Sequence, residues 1–255
     1  MGRVRGPAEN GGPYGDAPMS VVGESAALAL GLIATADAAL VRTVALSFAV
    51  SGGACLCAAW LGLAAGAWLA AATFRGQRAV LLALDTLLAL PSVVVGLAVY
   101  LLLSRSGPLG DWGILFTPTA MVIAQTILVL PVIAALSRQV VADALREGGE
   151  QLRSLGAGTF ARAALMLLHE RWAVVTLLII AFGRAVSEVG AVMIVGGNIA
   201  GYTRVMTTTI ALETSKGDLP LALALGLVLL AVVALLNLLV ALVPRGHAVA
   251  VTEWR

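Results

Sequence analysis

The sequence predicts an all-α, polytopic membrane protein, a bundle of about five transmembrane helices. Of its 255 residues, 60% are hydrophobic and only 12% are charged, whereas soluble domains are roughly half apolar and a quarter charged. Five apolar stretches reach the roughly 20 residues that a helix needs to cross the bilayer core. These stretches are continuous and do not alternate between polar and apolar residues, which argues against a membrane β-barrel.

Two segments precede the first predicted span. Residues 1–18 are rich in Gly and Pro, so we expect a disordered extension. Residues 19–40 are apolar but are interrupted by Glu24, Thr35 and Asp37. This pattern predicts an amphipathic helix that lies in the membrane interface, with a first transmembrane helix as the alternative.

Arginines between the spans predict the orientation of the bundle. The predicted spans are residues 41–73, 79–103, 114–136, 172–195 and 219–243. The segments that follow spans one, three and five contain nine arginines, whereas the other loops contain three cationic residues, Arg105, Arg204 and Lys216. The arginine-rich side is expected to be cytoplasmic. This places the N-terminus outside the cytoplasm and makes residues 244–255 a cytoplasmic tail.

Several functional classes lack their sequence signatures. The only lysine, Lys216, is followed by Gly217 rather than by Ser or Thr, so the chain has no P-loop for ATP. No H-E-x-x-H or G-x-S-x-G motif supports an intramembrane enzyme. A net charge of +2 is too small for a nucleic-acid partner, and no residue cluster suggests a metal or cofactor. Transport or membrane anchoring remain as the two hypotheses.

The segment between spans three and four, residues 138–171, is longer than a helical bundle needs for a turn. Residues 142–155 have helical spacing, Gly156 interrupts the pattern, and Thr159 is placed to cap a second helix over residues 160–168. The sequence therefore predicts a helical hairpin. It would contact a partner or rest on the lipid headgroups.

This hairpin resembles the E-A-A-x-x-x-G-x9-I-x-L-P loop of membrane permeases from binding-protein-dependent ABC importers. Glu150, Gly156 and Leu168 match the motif. Four positions depart from it: Gln151 and Leu152 replace the alanines, Met166 the isoleucine and His169 the proline.

The resemblance extends over residues 41–243. The runs at 90–96, 104–110 and 183–191 look like the permeases of the molybdate, tungstate and sulfate group. The runs at 197–204 and 210–218 are similar to the tungstate-type members.

The resemblance implies a non-catalytic permease subunit of an ATP-driven importer in the cytoplasmic membrane of a bacterium or archaeon. Its implied partners are a second copy of the chain, two ABC ATPase subunits, and an extracytoplasmic oxyanion-binding protein. The implied substrate is tungstate, with molybdate or sulfate as the alternative. An anchor or assembly protein without transport activity is the competing hypothesis.

The resemblance and the predicted topology together suggest three groups of site residues. Those expected to couple to the ATPase are Glu150, Leu155, Gly156, Ala157, Phe160 and Leu168. Those expected to dock the binding protein are Ser104, Gly107, Asn198, Tyr202, Thr203, Arg204 and Lys216. Those expected along the translocation path are Pro91, Arg184, Ser187 and Glu188.

Arg184 and Glu188 are the unusual pair, because ionised groups near mid-bilayer are costly and usually functional. Four residues apart, they are expected to share a face of span four. One interpretation is mutual neutralisation. In the other, Arg184 and Ser187 offer transient donors to an oxyanion, and Glu188 keeps the site weak. Pro91 is expected to kink span two.

Overall fold

The computed structural model describes residues 18–35 and 38–241. Within these ranges the regular structure is entirely helical, which confirms the predicted all-α bundle. The predicted tail at 244–255 and nearly all of the predicted extension at 1–18 lie outside the described residues. The helices are α1 Pro18–Thr35, α2 Ala38–Ala71, α3 Gln77–Leu88, α4 Ser92–Leu103, α5 Pro118–Ser154, α6 Thr159–His169, α7 Arg171–Val186, α8 Gly190–Gly196, α9 Met206–Lys216 and α10 Leu219–Ala241, with a short 3₁₀ turn at Gly110–Trp112.

Three of these helices, α2, α5 and α10, are each long and apolar enough to cross a membrane. Two bent pairs raise the number of candidate spans in the described residues to as many as five: α3 with α4, bent by 96°, and α6 with α7, bent by 79°. The predicted number of spans agrees with this upper figure.

Span two changes direction at Pro91, where the sequence predicts a kink, and the change is a full break in the helix with a bend of 96°. Helix α3 ends at Leu88 and α4 begins at Ser92. Proline has no amide hydrogen and disfavours helical geometry in the residue before it. The carbonyl of Pro91 then accepts the amides of Val94 and Val95 at 3.0 and 3.2 Å, so the same residue starts the next helix.

Span three continues far beyond its predicted end at residue 136. Thr117 caps α5 by accepting the amide of Ala120, and Pro118 occupies the first turn, where a missing amide hydrogen costs nothing. The helix has 37 residues, which gives it a length of about 55 Å. The first arm of the predicted hairpin is therefore the end of α5 and not a separate helix.

The start of α6 also differs from the prediction. The N-cap is Gly158, without a side-chain cap hydrogen bond, and Thr159 is already the first helical residue. Thr159 is thus not the cap that the sequence pattern predicted. A glycine at this position leaves the first amides of α6 without a side-chain acceptor.

Close packing of α2 against α5 forms the centre of the bundle. A Cβ atom at Gly66 would overlap the carbonyl oxygen of Ala134 and lie 2.9 Å from the amide nitrogen of Arg138. One turn away, the Ser137 hydroxyl donates to the carbonyl of Leu63 at 3.1 Å. Small residues that bring backbones together in this way are typical of membrane helix pairs.

Helix α1 packs along α10. Ala29 is buried in a cluster with Ala224, Leu225 and Val228. The apolar part of α1 within the described residues, 22–32, is shorter than a span. The interfacial position of residues 19–40 therefore stays a prediction.

The packing predicts opposite effects for alanine at two helical glycines. Gly66→Ala should destabilise the protein by about 1–3 kcal/mol, because the added methyl group meets backbone atoms that cannot rotate away. Gly226→Ala, on α10 with no atom within 4 Å of its Cβ position, is the matched control and should be neutral or stabilising. The midpoint of thermal unfolding of the purified chain in detergent measures both. Equal midpoints for the two variants would contradict the close α2–α5 contact.

Candidate translocation site and coupling surface

Span four is broken between α7 and α8. The break contains two of the predicted path residues, Ser187 and Glu188, and a third, Arg184, lies in the last turn of α7. Helix α7 ends at Val186 and α8 begins at Gly190. The Ser187 hydroxyl donates to the Arg184 carbonyl at 3.0 Å. A carboxylate oxygen of Glu188 accepts the amide of Ala191 at 3.3 Å. Ser187 therefore helps to close the first helix and Glu188 caps the second.

The break overturns the expectation that Arg184 and Glu188 share one helix face. Glu188 lies beyond the end of α7, so the four-residue spacing no longer aligns the two side chains. No ion pair joins them among the described residues, and the Arg184 side chain is exposed. The structure nevertheless brings both residues to the wall of one small cavity, so they remain close without neutralising each other.

Gln125 on α5 lines the same cavity, and sequence analysis missed it. Its side chain is only 3% exposed. Its Nε2 donates to the Ala185 carbonyl at 3.0 Å, whereas its Oε1 has no partner in the described residues. A buried polar group without a partner is costly and calls for an explanation. The signal in the sequence was an amide in an otherwise apolar span.

The two broken spans meet at this site. A Cβ atom at Gly190 would lie 2.8 Å from the hydroxyl oxygen of Ser92, the residue after Pro91. One turn further, a Cβ at Gly96 would lie 2.7 Å from the Cα of Ala191. Contacts this short require glycine on both helices. The start of α4, directly after Pro91, therefore packs against the start of α8, directly after the break. The path role of these residues stays a prediction.

Helix α9 also contacts the break between α7 and α8. The Thr207 hydroxyl donates to the backbone carbonyl of Glu188 at 2.8 Å, and the Ser47 hydroxyl of α2 accepts the amide of Met206 at 2.9 Å. The break is therefore hydrogen-bonded on several sides and forms a defined part of the fold.

The loop that follows α8 holds four of the residues expected to dock a binding protein. The Arg204 guanidinium donates to the side-chain oxygen and to the carbonyl of Asn198, both at 3.3 Å. Thr203 is 1% exposed and accepts the amide of Ile199 at 2.9 Å. These three predicted residues hold the loop together. Tyr202 is exposed and presents its ring to the surroundings.

The other predicted docking residues lie in a tight turn and at a helix end. The amide of Gly107 donates to the Ser104 carbonyl at 2.7 Å, and a Cβ on Gly107 would overlap the Leu101 carbonyl oxygen. Glycine is thus required for the turn after α4. Lys216, in the last turn of α9, is paired with Glu213 at 2.8 Å.

The hairpin turn between α5 and α6 has the geometry that its glycine predicted. Gly156 has φ +78°, its amide donates to the Arg153 carbonyl at 2.9 Å, and the Ala157 amide donates to the Leu152 carbonyl at 3.0 Å. These are the two hydrogen bonds of a Schellman motif, in which a left-handed residue ends the helix.

Three predicted coupling residues expose apolar side chains on the hairpin: Leu155 at the turn, Phe160 at the start of α6 and Leu168 near its end. Leu155 is 82% exposed, Phe160 74% and Leu168 68%, and Glu150 is also exposed. The opposite side of α6 buries Ala163 and Met166 in a cluster with residues of α2 and α5. The hairpin is therefore fixed to the bundle by one side and presents apolar side chains on the other, a pattern typical of a contact site.

No protein-family model matches the chain, but close relatives exist. A probable anion ABC transporter permease protein of Haloferax volcanii is 43% identical over 206 residues, which cover 78% of this chain and 88% of the relative. The tungstate uptake system permease protein TupB of Peptoclostridium acidaminophilum is 40% identical over 219 residues, 86% of this chain and 96% of the relative. TupB of Campylobacter jejuni is 40% identical over 164 residues, 64% of this chain and 69% of the relative. With identities of this size over most of the first two relatives, and with its several apolar helices, this multi-pass membrane chain belongs to the ABC transporter permease family.

Proposed function

We propose that the chain is the membrane subunit of an ATP-driven importer that passes tungstate into the cytoplasm. The observation that carries this proposal is the apolar surface of Leu155, Phe160 and Leu168 on a hairpin fixed to the bundle. A separate ATPase is the partner that fits this surface, because the chain has no P-loop of its own. Relatives named for tungstate uptake favour tungstate over molybdate or sulfate.

The proposed complex contains two copies of the chain, two ATPase subunits and an extracytoplasmic oxyanion-binding protein. With at most five candidate spans in its described residues, one chain is small for a complete pathway. A two-fold dimer would place identical helix faces around a common axis. The arginine distribution assigns the hairpin to the cytoplasmic side and the loops at Ser104 and Tyr202 to the outside.

The helix breaks are the proposed part of the pathway. Arg184 and Glu188 line one small cavity with Gln125, whose Oε1 has no partner in the described residues. Ser187 lies in the break between α7 and α8, and Pro91 directly precedes α4, which packs against α8. Discontinuous helices at membrane depth are tolerated where they line a cavity. Arg184 supplies a positive charge that a passing oxyanion can contact.

Uptake by reconstituted vesicles tests the substrate assignment. Vesicles that contain the chain, its ATPase and the binding protein should accumulate tungstate only when ATP is present. Excess molybdate or sulfate should compete weakly. ATP-independent flux, or accumulation of sulfate in preference to tungstate, would contradict the proposal.

The turn at Gly156 provides a test of coupling with a matched pair of variants. Its Cβ position is open, with no atom of the described chain within 4 Å, so within the chain a substitution acts through backbone strain. The matched asparagine variant controls for contact of a new side chain with the ATPase. Gly156→Val should lower ATP-driven uptake by at least tenfold, because a β-branched residue resists a positive φ. Gly156→Asn tolerates that conformation and should retain most activity. Both variants should insert and assemble equally, and normal uptake by the valine variant would refute the coupling role.

The role of Arg184 is tested against Glu188. Arg184→Met should abolish most oxyanion uptake while the complex still assembles and hydrolyses ATP. Glu188→Gln keeps an oxygen that can accept the Ala191 amide, so this variant should fold and assemble with the ATPase normally. Because the structure shows no ion pair between the two residues, adding Glu188→Gln to Arg184→Met should not restore uptake. Full uptake by the double variant would make Arg184 a structural partner only.

A further inference from the structure

A second cavity lies away from the helix breaks, between the end of α2 and the hairpin. It has a volume of about 350 Å³, within the range of small-ligand sites. Its wall combines aromatic, hydroxyl and guanidinium groups. The residues that matter for its chemistry are Trp68, Thr73, Phe74, Arg153, Thr159 and Arg162.

The charge of this cavity is positive. Arg153 and Arg162 line it, and none of the lining residues is acidic. Neither guanidinium has a carboxylate within ion-pair distance among the described residues. The Nε atom of Arg162 is buried and has no hydrogen-bond acceptor there. A buried charged donor without an acceptor is costly, so nothing in the described part of the chain fully balances the positive charge of Arg162.

The start of α6 adds amide donors to the same wall. Thr159, which lines the cavity, is the first residue of this 11-residue helix, and the preceding Gly158 provides no side-chain cap. The first amides of a helix carry partial positive charge and bind anions readily. Two guanidinium groups, a hydroxyl and a helix N-terminus thus occur at one cavity.

The C-terminal end of α2, which would repel an anion, is already occupied by side-chain donors. Nη2 of Arg162 approaches the Ala71 carbonyl at 3.5 Å. Nε2 of Gln77 donates to the carbonyls of Leu69 and Ala72 at 2.9 and 3.0 Å. These contacts offset the negative end of the α2 dipole, and they leave the Arg153 guanidinium without a partner in the described part of the chain.

We propose that this cavity binds a phosphate-type oxyanion, supplied by the headgroup of an anionic lipid. Trp68 and Phe74 are exposed and stack on each other with ring centroids 5.2 Å apart. Exposed aromatic rings next to arginines are typical of the membrane interface, and basic pockets at that level attract anionic headgroups. A bound phosphate would connect the hairpin to α2 through Arg153, Arg162 and Thr159. The proposal does not depend on the transported substrate.

Lipid titration of the full-length chain, followed by native mass spectrometry, tests the site. Phosphatidylglycerol should bind the wild-type chain more tightly than phosphatidylcholine. Arg153→Gln should weaken phosphatidylglycerol binding about fivefold, which corresponds to the loss of one positive charge near the headgroups. The Arg153 side chain is exposed and forms no hydrogen bond or ion pair among the described residues, so this variant should fold normally.

Arg146→Gln is the matched control, because Arg146 lies on the same helix and is paired with Asp143 at 2.9 Å outside the cavity. It should leave lipid binding unchanged. Inorganic phosphate, titrated by calorimetry, distinguishes the source of the anion. Phosphate binding that Arg153→Gln weakens, with no effect on lipid, would support the oxyanion site but assign it to a free anion. Equal effects of the two arginine variants, or no effect on either ligand, would overturn the proposal.

Discussion

Inside a bilayer, no water is available to satisfy open backbone groups, and this constraint governs the two helix breaks on which the rest of the structure depends. Each break is closed by the chain itself. The Pro91 carbonyl starts α4, the Ser187 hydroxyl bonds to the end of α7, and the Glu188 carboxylate caps α8. Thr207 then takes up the Glu188 carbonyl. The backbone groups at the two breaks are therefore largely hydrogen-bonded within the chain, as a position at membrane depth requires.

The long helix α5 connects these junctions to the hairpin. Near one end, Gln125 bonds to the Ala185 carbonyl beside the break. Near the other, Val141 and Ala144 pack with α6. Glycine contacts hold α5 against α2 between these points. If a partner displaced the hairpin, the displacement would pass along α5, since close-packed interiors deform little. This geometry suits a membrane subunit whose conformation is changed by a partner protein bound at the hairpin.

The sequence predicted the bundle and the approximate spans, because a membrane helix requires a long run of apolar residues. It predicted the turn at Gly156, because a positive φ favours glycine. The sequence did not predict that span four is broken, because residues 187–189 contain no proline. The Glu188 carboxylate, which accepts an amide of α8, was interpreted instead as a partner of Arg184. The continuity of α5 was missed because the apolar stretch of span three ends at residue 136. The polar residues after it, from Ser137, resembled the start of a loop before the next predicted helix at 142–155. Gln125 was missed because its significance depends on Ala185, 60 residues away.

The arrangement at the breaks also bears on how tightly an oxyanion could be held there. Of the two charged residues, Glu188 is occupied as a cap, while Arg184 is exposed and forms no ion pair in the described part of the chain. An anion near this point would contact one guanidinium per subunit and remain within range of a carboxylate. A pathway site must attract its ion and then release it. At the breaks, one free positive charge beside a fixed negative charge suits both attraction and release. The second cavity, with two arginines and a helix N-terminus that has no side-chain cap, is suited to retaining an anion.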